Sequence, residues 1–241
     1  MEKYTIGDIH GELEKLILCL KAVNFDYEKD QLISLGDVVD RGFKSYEVIE
    51  ELLKIKNLIA IRGNHDKCFL DGLLNGKYLL FTQGCRETNL SYNKALRLNT
   101  PAEYLKMSDI PFSHFEFLKN QLPYYIDEDN NLFVHGGFNR HQLVEEHSDQ
   151  EIFYWDRDLL ASARSYESMR DKTYPFKTKN NFNEIYLGHT PVQYFEKHSN
   201  PVKKQNLKAA LVALTVMNKR AALPVKKAID SAIANAVNNF N

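Results

Sequence analysis

The chain has 241 residues, of which 44% are hydrophobic and 26% are charged, and its formal net charge is −1. This balance is typical of a globular protein, and it excludes an electrostatic grip on nucleic acid or on an anionic membrane surface. No uninterrupted apolar stretch approaches the roughly 20 residues that a membrane-spanning helix needs. We therefore expect neither nucleic acid nor a membrane as a partner, and the oligomeric state stays open.

The cysteines and the first residues of the chain bear on where in the cell the protein is located. The three cysteines, Cys19, Cys68 and Cys85, are an odd number without a CxxC pair, so we interpret them as reduced thiols. The first polar motif begins at Gly7, which leaves no room for a signal peptide. Together these features predict a cytoplasmic protein.

Short apolar stretches recur along the chain, and each one ends in a polar motif that contains glycine. The five pairs are residues 4–6 before GDIHG, 32–35 before GDVVDRG, 58–61 before RGNHD, 132–134 before HGG and 185–187 before GHT. Apolar runs of this length with polar flanks are typical of buried strands. Because ligands of open α/β sheets bind beyond the carboxyl ends of the strands, we expect the five motifs to form one site.

Helical patterns follow the first two of these strands. Their apolar positions are Leu13, Leu16, Ile17, Leu20 and Val23 in the first helix, and Val48, Ile49, Leu52 and Leu53 in the second. Ser45 is the predicted N-cap of the second helix. With the strand at 58–61, this alternation predicts an α/β fold with a largely parallel sheet.

Residues 67–125 are interpreted as an inserted, mostly helical region beside the crevice, where substrate selectivity could reside. Pro101 and Pro111 punctuate it. Its aromatic residues are expected to be core, because their spacing fits simple helix packing. They are Phe69, Tyr78, Phe81, Phe112, Phe115 and Phe117.

Residues 208–241 differ in composition from the rest of the chain. They contain no glycine and carry five basic residues against one acidic residue. Apolar residues recur every four positions from Val225 to Val237, which predicts a short amphipathic helix after Pro224. Two origins stay open for this atypical basic tail: a shifted reading frame or artificial junction at residue 207, or a genuine variant whose helix covers a sheet edge.

Oxygen and nitrogen donors, without a cysteine, make up the polar motifs. Such donors suit Mn²⁺, Fe²⁺, Zn²⁺ or Mg²⁺ rather than a structural zinc held by thiolates. One ion could be held by Asp8, His10 and a bridging Asp37, and a second by Asp37, Asn64, His135 and His189. Two ions about 3.5–4 Å apart clamp the oxygens of a phosphoryl displacement and lower the pKa of a bound water toward ~7. The predicted reaction is hydrolysis of a phosphate ester or anhydride.

The five motifs, in this order, resemble the calcineurin-like metallophosphoesterase superfamily. DRG together with RGNH is similar to its serine/threonine phosphoprotein phosphatase branch, as found in bacteria and phages. The resemblance covers about residues 1–207 and implies one catalytic domain there, a β-sandwich of mixed sheets flanked by helices. It also implies two divalent ions, commonly Mn²⁺, a hydroxide that bridges them as the attacking group, and the same six ligands.

The resemblance further implies roles for the charged residues of the motifs. Arg41 and Arg62 match phosphate clamps, His65 matches the general acid, and Asp40 matches the carboxylate that orients it. Arg157, in WDRD, is a further candidate for phosphate contact. The chemistry agrees, because guanidinium groups suit phosphate oxygens and a carboxylate-held histidine suits proton donation.

Asp66 stays open at this point. It could support the neighbouring His65, and an aspartate there also fits the dinucleoside tetraphosphatases of the same superfamily.

The leading prediction is an enzyme that removes phosphate from phosphoserine or phosphothreonine in proteins, supported by DRG, RGNH and WDRD, and phosphotyrosine stays open as a further substrate. One alternative is a pyrophosphohydrolase that cleaves dinucleoside tetraphosphates symmetrically, supported by GNHD and HGG. A second alternative is a metal-binding protein made inactive by its altered C-terminus. Retention of Arg41, Arg62 and His65 argues against inactivity, because a protein that only binds has no chemical need for both clamp and acid. The expected partner is a phosphorylated protein or a small phosphorylated molecule.

Overall fold

Short strands and helices alternate through the described part of the chain, which comprises residues 1–75, 84–98, 105–171, 173 and 175–191 of a computed structural model. The strands are β1 (Lys3–Ile6), β2 (Gln31–Ser34), β3 (Asn57–Ala60), β4 (Tyr124–Ile126), β5 (Leu132–Val134) and β6 (Ile185–Leu187). The helices are α1 (Leu13–Ala22), α2 (Ser45–Leu52), α3 (Asn64–Asn75), α4 (Cys85–Leu96), α5 (Phe112–Lys119), α6 (Glu151–Trp155) and α7 (Asp158–Ser168). Two 3₁₀ turns lie at Met107–Asp109 and Val144–Glu146.

The first sheet is parallel and contains β1, β2 and β3 in that order. Tyr4 lies opposite Leu32, and Leu32 lies opposite Leu58. The helices α1 and α2 connect the three strands, as parallel neighbours require a crossover rather than a tight turn. The predicted parallel sheet is therefore confirmed, with strand limits within one residue of those expected.

The second sheet is mixed, with β4 antiparallel to β5 and β5 parallel to β6. The sequence did not predict β4, which has three half-buried residues and falls at the end of the stretch interpreted as helical. This strand is specified by its pairing with β5 rather than by a local pattern, since Tyr125 lies opposite Phe133.

Side chains alternate between the two faces of each sheet and divide the core into layers. Phe133 of β5 points toward the first sheet and packs with Ile33 of β2 between the sheets. Its neighbours Leu132 and Val134 face α6 and α7 on the other side, as the period of two along a strand requires. The opposite face of the first sheet is covered by α1 to α5. These layers confirm the predicted sandwich of sheets flanked by helices.

Three sequence predictions need correction or fall outside the described residues. Ser45 is the first residue of α2 rather than its N-cap, because its buried hydroxyl contacts Thr88 of α4 instead of the helix backbone. Phe112 is 76% exposed, so it is not core, whereas Phe69 and Phe117 are buried as expected. The predictions for Tyr78, Phe81 and the tail at 208–241 lie outside the described residues.

Among the described residues, no helix combines the length and the apolar character needed to cross a bilayer.

Candidate metal centre

The polar motifs converge at the carboxyl ends of strands from both sheets. Asp8 and His10 follow β1, Asp37 and Asp40 follow β2, Asn64 and His65 open α3 after β3, His135 follows β5, and His189 follows β6. Each of these eight residues is at most 8% exposed. The structure thus brings six candidate ligands and the candidate acid pair into one buried cluster.

Asp37 lies at the centre of this cluster. Its Oδ2 is 3.5 Å from His10 Nε2 and 3.4 Å from His135 Nε2. Potential ligand atoms lie within 4.8 Å of one another in two groups that share Asp37, one with His10 and His65 and one with His135 and His189. A ligand that bridges two ions must belong to both groups, and the carboxylate of Asp37 does.

Asp8 and Asn64 adjoin these two groups. Asp8 Oδ2 is 3.9 Å from His10 Nε2, and its Oδ1 accepts a hydrogen bond of 3.0 Å from the backbone N–H of His189. Asn64 Oδ1 is 3.0 Å from His135 Nε2. The structure therefore places each of the six candidate ligands next to at least one other member of the set.

Backbone carbonyls set the orientation of two imidazole rings. The Nδ1–H of His10 donates to the carbonyl of Val39, and that of His135 donates to the carbonyl of Leu35, each at 2.8 Å. Because a carbonyl only accepts, Nδ1 carries the proton and Nε2 faces Asp37. His10 Nε2 is buried without a hydrogen-bond partner in the described part of the chain. A buried nitrogen left unpaired in this way fits a metal ligand.

The charges of the cluster shift the pKa values of its members in opposite directions. Burial opposes protonation of His135, but the carboxylates of Asp37 and Asp8 outweigh it and raise the pKa to about 9. Burial and the positive charges of His135 and Arg157 lower the pKa of His189 to about 3. Since a ligating imidazole must be neutral, a metal ion would compete with the proton on His135.

Backbone strain is concentrated at the site. Five of its residues have positive φ angles: His10 at 47°, Asp37 at 53°, Asp40 at 70°, Arg41 at 67° and His189 at 63°. Each such residue costs about 1–3 kcal/mol, and strain of this kind tends to collect at functional sites.

Two glycines allow the carboxylates to lie against the backbone. A Cβ at Gly63 would overlap both the backbone N and the carboxylate of Asp37, and a Cβ at Gly188 would come within 2.7 Å of Asp8 Oδ1. The glycines of the RGNHD and GHT motifs are therefore required by this close approach.

His65 and Asp40 form a close pair beside the candidate metal ligands. The Nδ1 of His65 donates to Asp40 Oδ2 at 2.7 Å, and the guanidinium of Arg41 donates to His65 Nε2 at 3.1 Å. Burial lowers the pKa of His65, but the hydrogen bond to Asp40 and the charge of Asp37 outweigh it, so the pKa is raised. Protonation of Nε2 would break the bond to Arg41 and release the guanidinium. This arrangement places a potential proton donor next to a guanidinium cation.

The other two candidate phosphate contacts are placed differently. Arg62 donates to the carbonyls of Leu118 and Lys119, at 3.0 and 2.7 Å, so its guanidinium engages the C-terminal end of α5. Arg157 is exposed immediately before α7, and its charge lowers the pKa of His189. The structure thus brings Arg41 to the acid pair and Arg157 near the ligands, and it directs Arg62 toward α5.

The structure shows the role of Asp66, which could not be decided from the sequence. Its fully buried carboxylate accepts hydrogen bonds from the backbone N–H groups of Val38, Val39 and Gly63 and from Gln121 Nε2, at 2.9–3.3 Å. These four donors use the acceptor capacity of a carboxylate. Asp66 therefore joins the GDVVDRG and RGNHD loops and does not support the His65 ring.

Sequence reasoning also missed Thr88, whose hydroxyl contacts Asp40 from α4. The two residues are 48 positions apart, and the surrounding TNLSYN carries no motif that would have predicted the contact.

The model of one protein family, the calcineurin-like phosphoesterases, matches residues 4–203. The chain belongs to this family, which consists of metal-dependent hydrolases of phosphoesters, and the sequence-based resemblance is confirmed.

Curated relatives with two different activities match part of the chain. A symmetrical bis(5'-nucleosyl)-tetraphosphatase of Aliivibrio salmonicida is 48% identical over 67 residues, which are 27% of this chain and 24% of that protein. Serine/threonine-protein phosphatase 1 of Salmonella typhimurium is 36% identical over 78 residues, 32% of this chain and 36% of that protein. The chain thus spans a quarter to just over a third of the length of these relatives.

A solved structure matches over a longer range. It belongs to a protein to which diadenosine tetraphosphatase activity has been assigned provisionally, with a TM-score of 0.50 and 18% identity, and the match covers 80% of this chain and 76% of that one. At this identity the likeness shows the fold alone.

Proposed function

We propose that this protein is a metal-dependent phosphatase that removes phosphate from phosphoserine and phosphothreonine in proteins. The observation that carries the proposal is the pairing of His65 with Asp40 next to Arg41, beside two ligand groups that share Asp37. A proton donor, a phosphate-binding cation and a metal cluster are the parts that ester hydrolysis needs.

Two divalent ions would be held by the candidate ligands, which are Asp8, His10, Asp37, Asn64, His135 and His189. When bound, the ions supply an activated water and neutralise phosphate charge. We propose Mn²⁺ for both positions, and the same nitrogen and oxygen donors suit Fe, Zn or Mg.

The protein's own residues supply binding and proton transfer. His65 would give the proton on Nε2 to the leaving oxygen of the ester, which turns a poor leaving group into a neutral alcohol. Asp40 would hold the ring and stabilise its charged form. Arg41 and Arg157 would bind phosphate oxygens. Arg62 is proposed as a further clamp, and that role requires its guanidinium to leave the two α5 carbonyls.

The exposed arginines next to the buried cluster support a phosphate group carried on a large substrate. Asp8, Asn64, His65 and His189 keep 4–8% of their surface, whereas His10 and His135 are fully buried, so the cluster opens on one side. The exposed side chains of Arg41 and Arg157 adjoin that side. A phosphate carried on a protein surface could reach such an opening, and the Salmonella phosphatase provides a relative with this activity.

A second candidate function is symmetrical hydrolysis of dinucleoside tetraphosphates. The Aliivibrio relative supports it, and so does Trp155, which is 47% exposed with its ring 6.1 Å from the ring of His189. An exposed indole beside the metal cluster could stack on a nucleobase, which contributes about 1–3 kcal/mol per base.

A hydrolysis panel on the purified protein separates the two functions. The protein is stripped of metal, resupplied with Mn²⁺ and offered a phosphoserine peptide and diadenosine tetraphosphate in parallel. Faster Mn²⁺-dependent release of phosphate from the peptide would support the protein phosphatase, and faster formation of ADP would support the second function. If two ions bind and neither substrate reacts, both proposals fail and an inactive metal-binding protein is the better interpretation.

A further inference from the structure

We infer that Thr88, on α4, is a positioning residue for the acid pair, acting on His65 through Asp40. The inference rests on the proposed role of His65 as proton donor. Thr88 is fully buried, lies outside all five polar motifs, and reaches Asp40 from the helical region between the RGNHD and HGG motifs. It would make that region part of the catalytic apparatus without contacting substrate.

The Thr88 hydroxyl holds Asp40 at two points. Its Oγ1 accepts the backbone N–H of Asp40 at 2.8 Å and donates to Asp40 Oδ1 at 2.9 Å. The other carboxylate oxygen, Oδ2, accepts from His65. The Cys85 thiol at the start of α4 also contacts Oδ2, at 3.8 Å. Helix α4 thus touches both carboxylate oxygens, and the Thr88 hydroxyl makes the shorter contact, to the oxygen that does not bind His65.

A third hydrogen bond fixes the direction in which Thr88 donates. Ser45 Oγ lies 3.0 Å from Thr88 Oγ1. Since the single hydroxyl proton of Thr88 goes to Asp40, Ser45 must be the donor in this contact. The hydroxyl therefore makes one donated and two accepted hydrogen bonds, and its orientation is fully determined.

The start of α4 also supports the strained turn at Asp40 and Arg41. The N–H of Arg41 donates to the carbonyl of Gly84 at 3.0 Å, and a Cβ at Gly84 would overlap the backbone of Arg41. Both residues of the turn have positive φ angles. The first turn of α4 thus contacts both the backbone and the carboxylate that orient His65.

Loss of the Thr88 hydroxyl should loosen Asp40 without touching the metal ligands. The buried N–H and Oδ1 of Asp40 would lose their partner, and the carboxylate could then turn away from His65. Only the rates of steps that need the His65 proton would fall. The expected signature is therefore a defect that depends on the leaving group of the substrate.

The test compares Thr88→Val with wild type on two aryl phosphates, using the Mn²⁺-loaded full chain. Phenyl phosphate has a leaving oxygen that needs a proton, whereas 2,4-dinitrophenyl phosphate releases a stable anion. Ser91→Ala is the matched control, because Ser91 is a buried hydroxyl one turn along α4 that bonds Tyr46 and Glu47. Thr88→Ser, which keeps the hydroxyl, is the rescue variant.

We expect kcat of Thr88→Val to fall about 10-fold on phenyl phosphate, the scale of one hydrogen bond to a charged group. The rate on dinitrophenyl phosphate, the metal content and the KM values should stay near wild type, as should all values for Ser91→Ala and Thr88→Ser. An equal loss on both aryl phosphates would show a merely structural role and overturn the inference.

The same comparison in a His65→Asn background tests the route of the effect. If Thr88 acts through His65, Thr88→Val adds no further loss there. A loss that persists in that background overturns the inference, whereas a His65→Asn variant that is itself unimpaired on phenyl phosphate would overturn the proposed acid and the positioning role together. Should Thr88→Val not fold, Ser45→Ala removes only the donor to Thr88, and a loss equal on both substrates would count against the inference.

Discussion

The two sheets of this protein contribute unequally to the candidate site. The first sheet and the helices behind it supply Asp37, Asn64 and the acid pair of Asp40 and His65. His65 donates to Asp37 through its backbone N–H and to Asp40 through its ring, both within that half, whereas Asn64 contacts His135 of the second half. The second sheet supplies two imidazoles, and both are anchored across the boundary. His135 donates to the carbonyl of Leu35, and the N–H of His189 donates to Asp8.

The two halves therefore have different roles in the candidate site. The first half contains every group proposed for proton transfer, whereas the second half completes the ligand set and forms a rim with Trp155 and Arg157. Variants in the first half should therefore divide into those that lose metal and those that lose only proton transfer. Variants at the rim should change substrate preference.

The largest effect is expected for Asp37→Asn, since Asp37 contacts histidines from both halves. We expect loss of bound metal and a fall in kcat of about three orders of magnitude, the upper range for removal of a pre-organised electrostatic group. Metal analysis beside kinetics measures both. Asp71→Asn, at the half-exposed carboxylate that pairs with Lys67 on α3, is the control. If Asp37→Asn retained both ions, Asp37 would not be a ligand shared by the two groups.

His65→Asn should lower kcat by about 10²-fold, as expected for a general acid, while the metal content stays near wild type. The reason is that His65 bonds Asp40 and Arg41 in this structure, although its ring also lies within ligand distance of His10 and Asp37. If His65→Asn lost metal as completely as Asp37→Asn, His65 would be a ligand. The first half could then not be divided into residues that bind metal and residues that only transfer a proton.

Trp155→Ala tests the rim formed by the second half. We expect KM for diadenosine tetraphosphate to rise about 10-fold, within the range for loss of one base-stacking contact, while KM for a phosphoserine peptide changes little. Trp155→Phe keeps an aromatic ring and should lie between wild type and alanine. Equal changes for both substrates would mean that the indole does not discriminate between them.

The smallest expected effect is on the pH dependence of stability, and it concerns His114, which packs in the first half. This buried ring accepts from the Tyr92 hydroxyl and donates to Glu50, both at 2.8 Å, and burial lowers its pKa although Glu50 opposes the shift. Burial dominates because the Glu50 side chain is 46% exposed and its charge is screened by solvent. The fold thus favours the neutral ring.

Because the folded pKa of His114 is lowered, its contribution to stability is complete above the unfolded value near 6.5 and is lost as the pH falls below it. The free energy of unfolding should therefore decline between pH 7 and pH 5, by at most about 1.4 kcal/mol per pH unit for one proton. His114→Gln should show a shallower decline in denaturant titrations. An identical slope in both proteins would mean that His114 does not titrate differently on unfolding.

The ends of the strands could be predicted from sequence because each combines a short apolar run with an abrupt polar motif. The run before GDIHG and the run before GDVVDRG give neighbouring parallel strands, and their polar tips meet as expected. The oxygen and nitrogen donors of the candidate ligands lie within these motifs, so the residue types could be identified without the fold.

Long-range contacts could not be read in the same way. Thr88 reaches Asp40 across 48 positions, and Ser45 bonds Thr88 rather than capping its own helix. The left-handed backbone at Arg41 is imposed by its surroundings, since an isolated residue of this type avoids it. Strand β4 depends on its partner β5. Each of these features is decided by tertiary packing.

The hydrogen bond between Asp8 and the N–H of His189 has a consequence for protein synthesis, because it joins residues 181 positions apart. A ribosome adds ~5–20 residues per second, so about 10–40 s separate the appearance of the two partners. During that interval Asp8 and its neighbours in the first half lack the last of the candidate imidazole ligands. If the candidate ligands hold metal ions, the complete set would be available to them only after β6 had been made and had paired with β5.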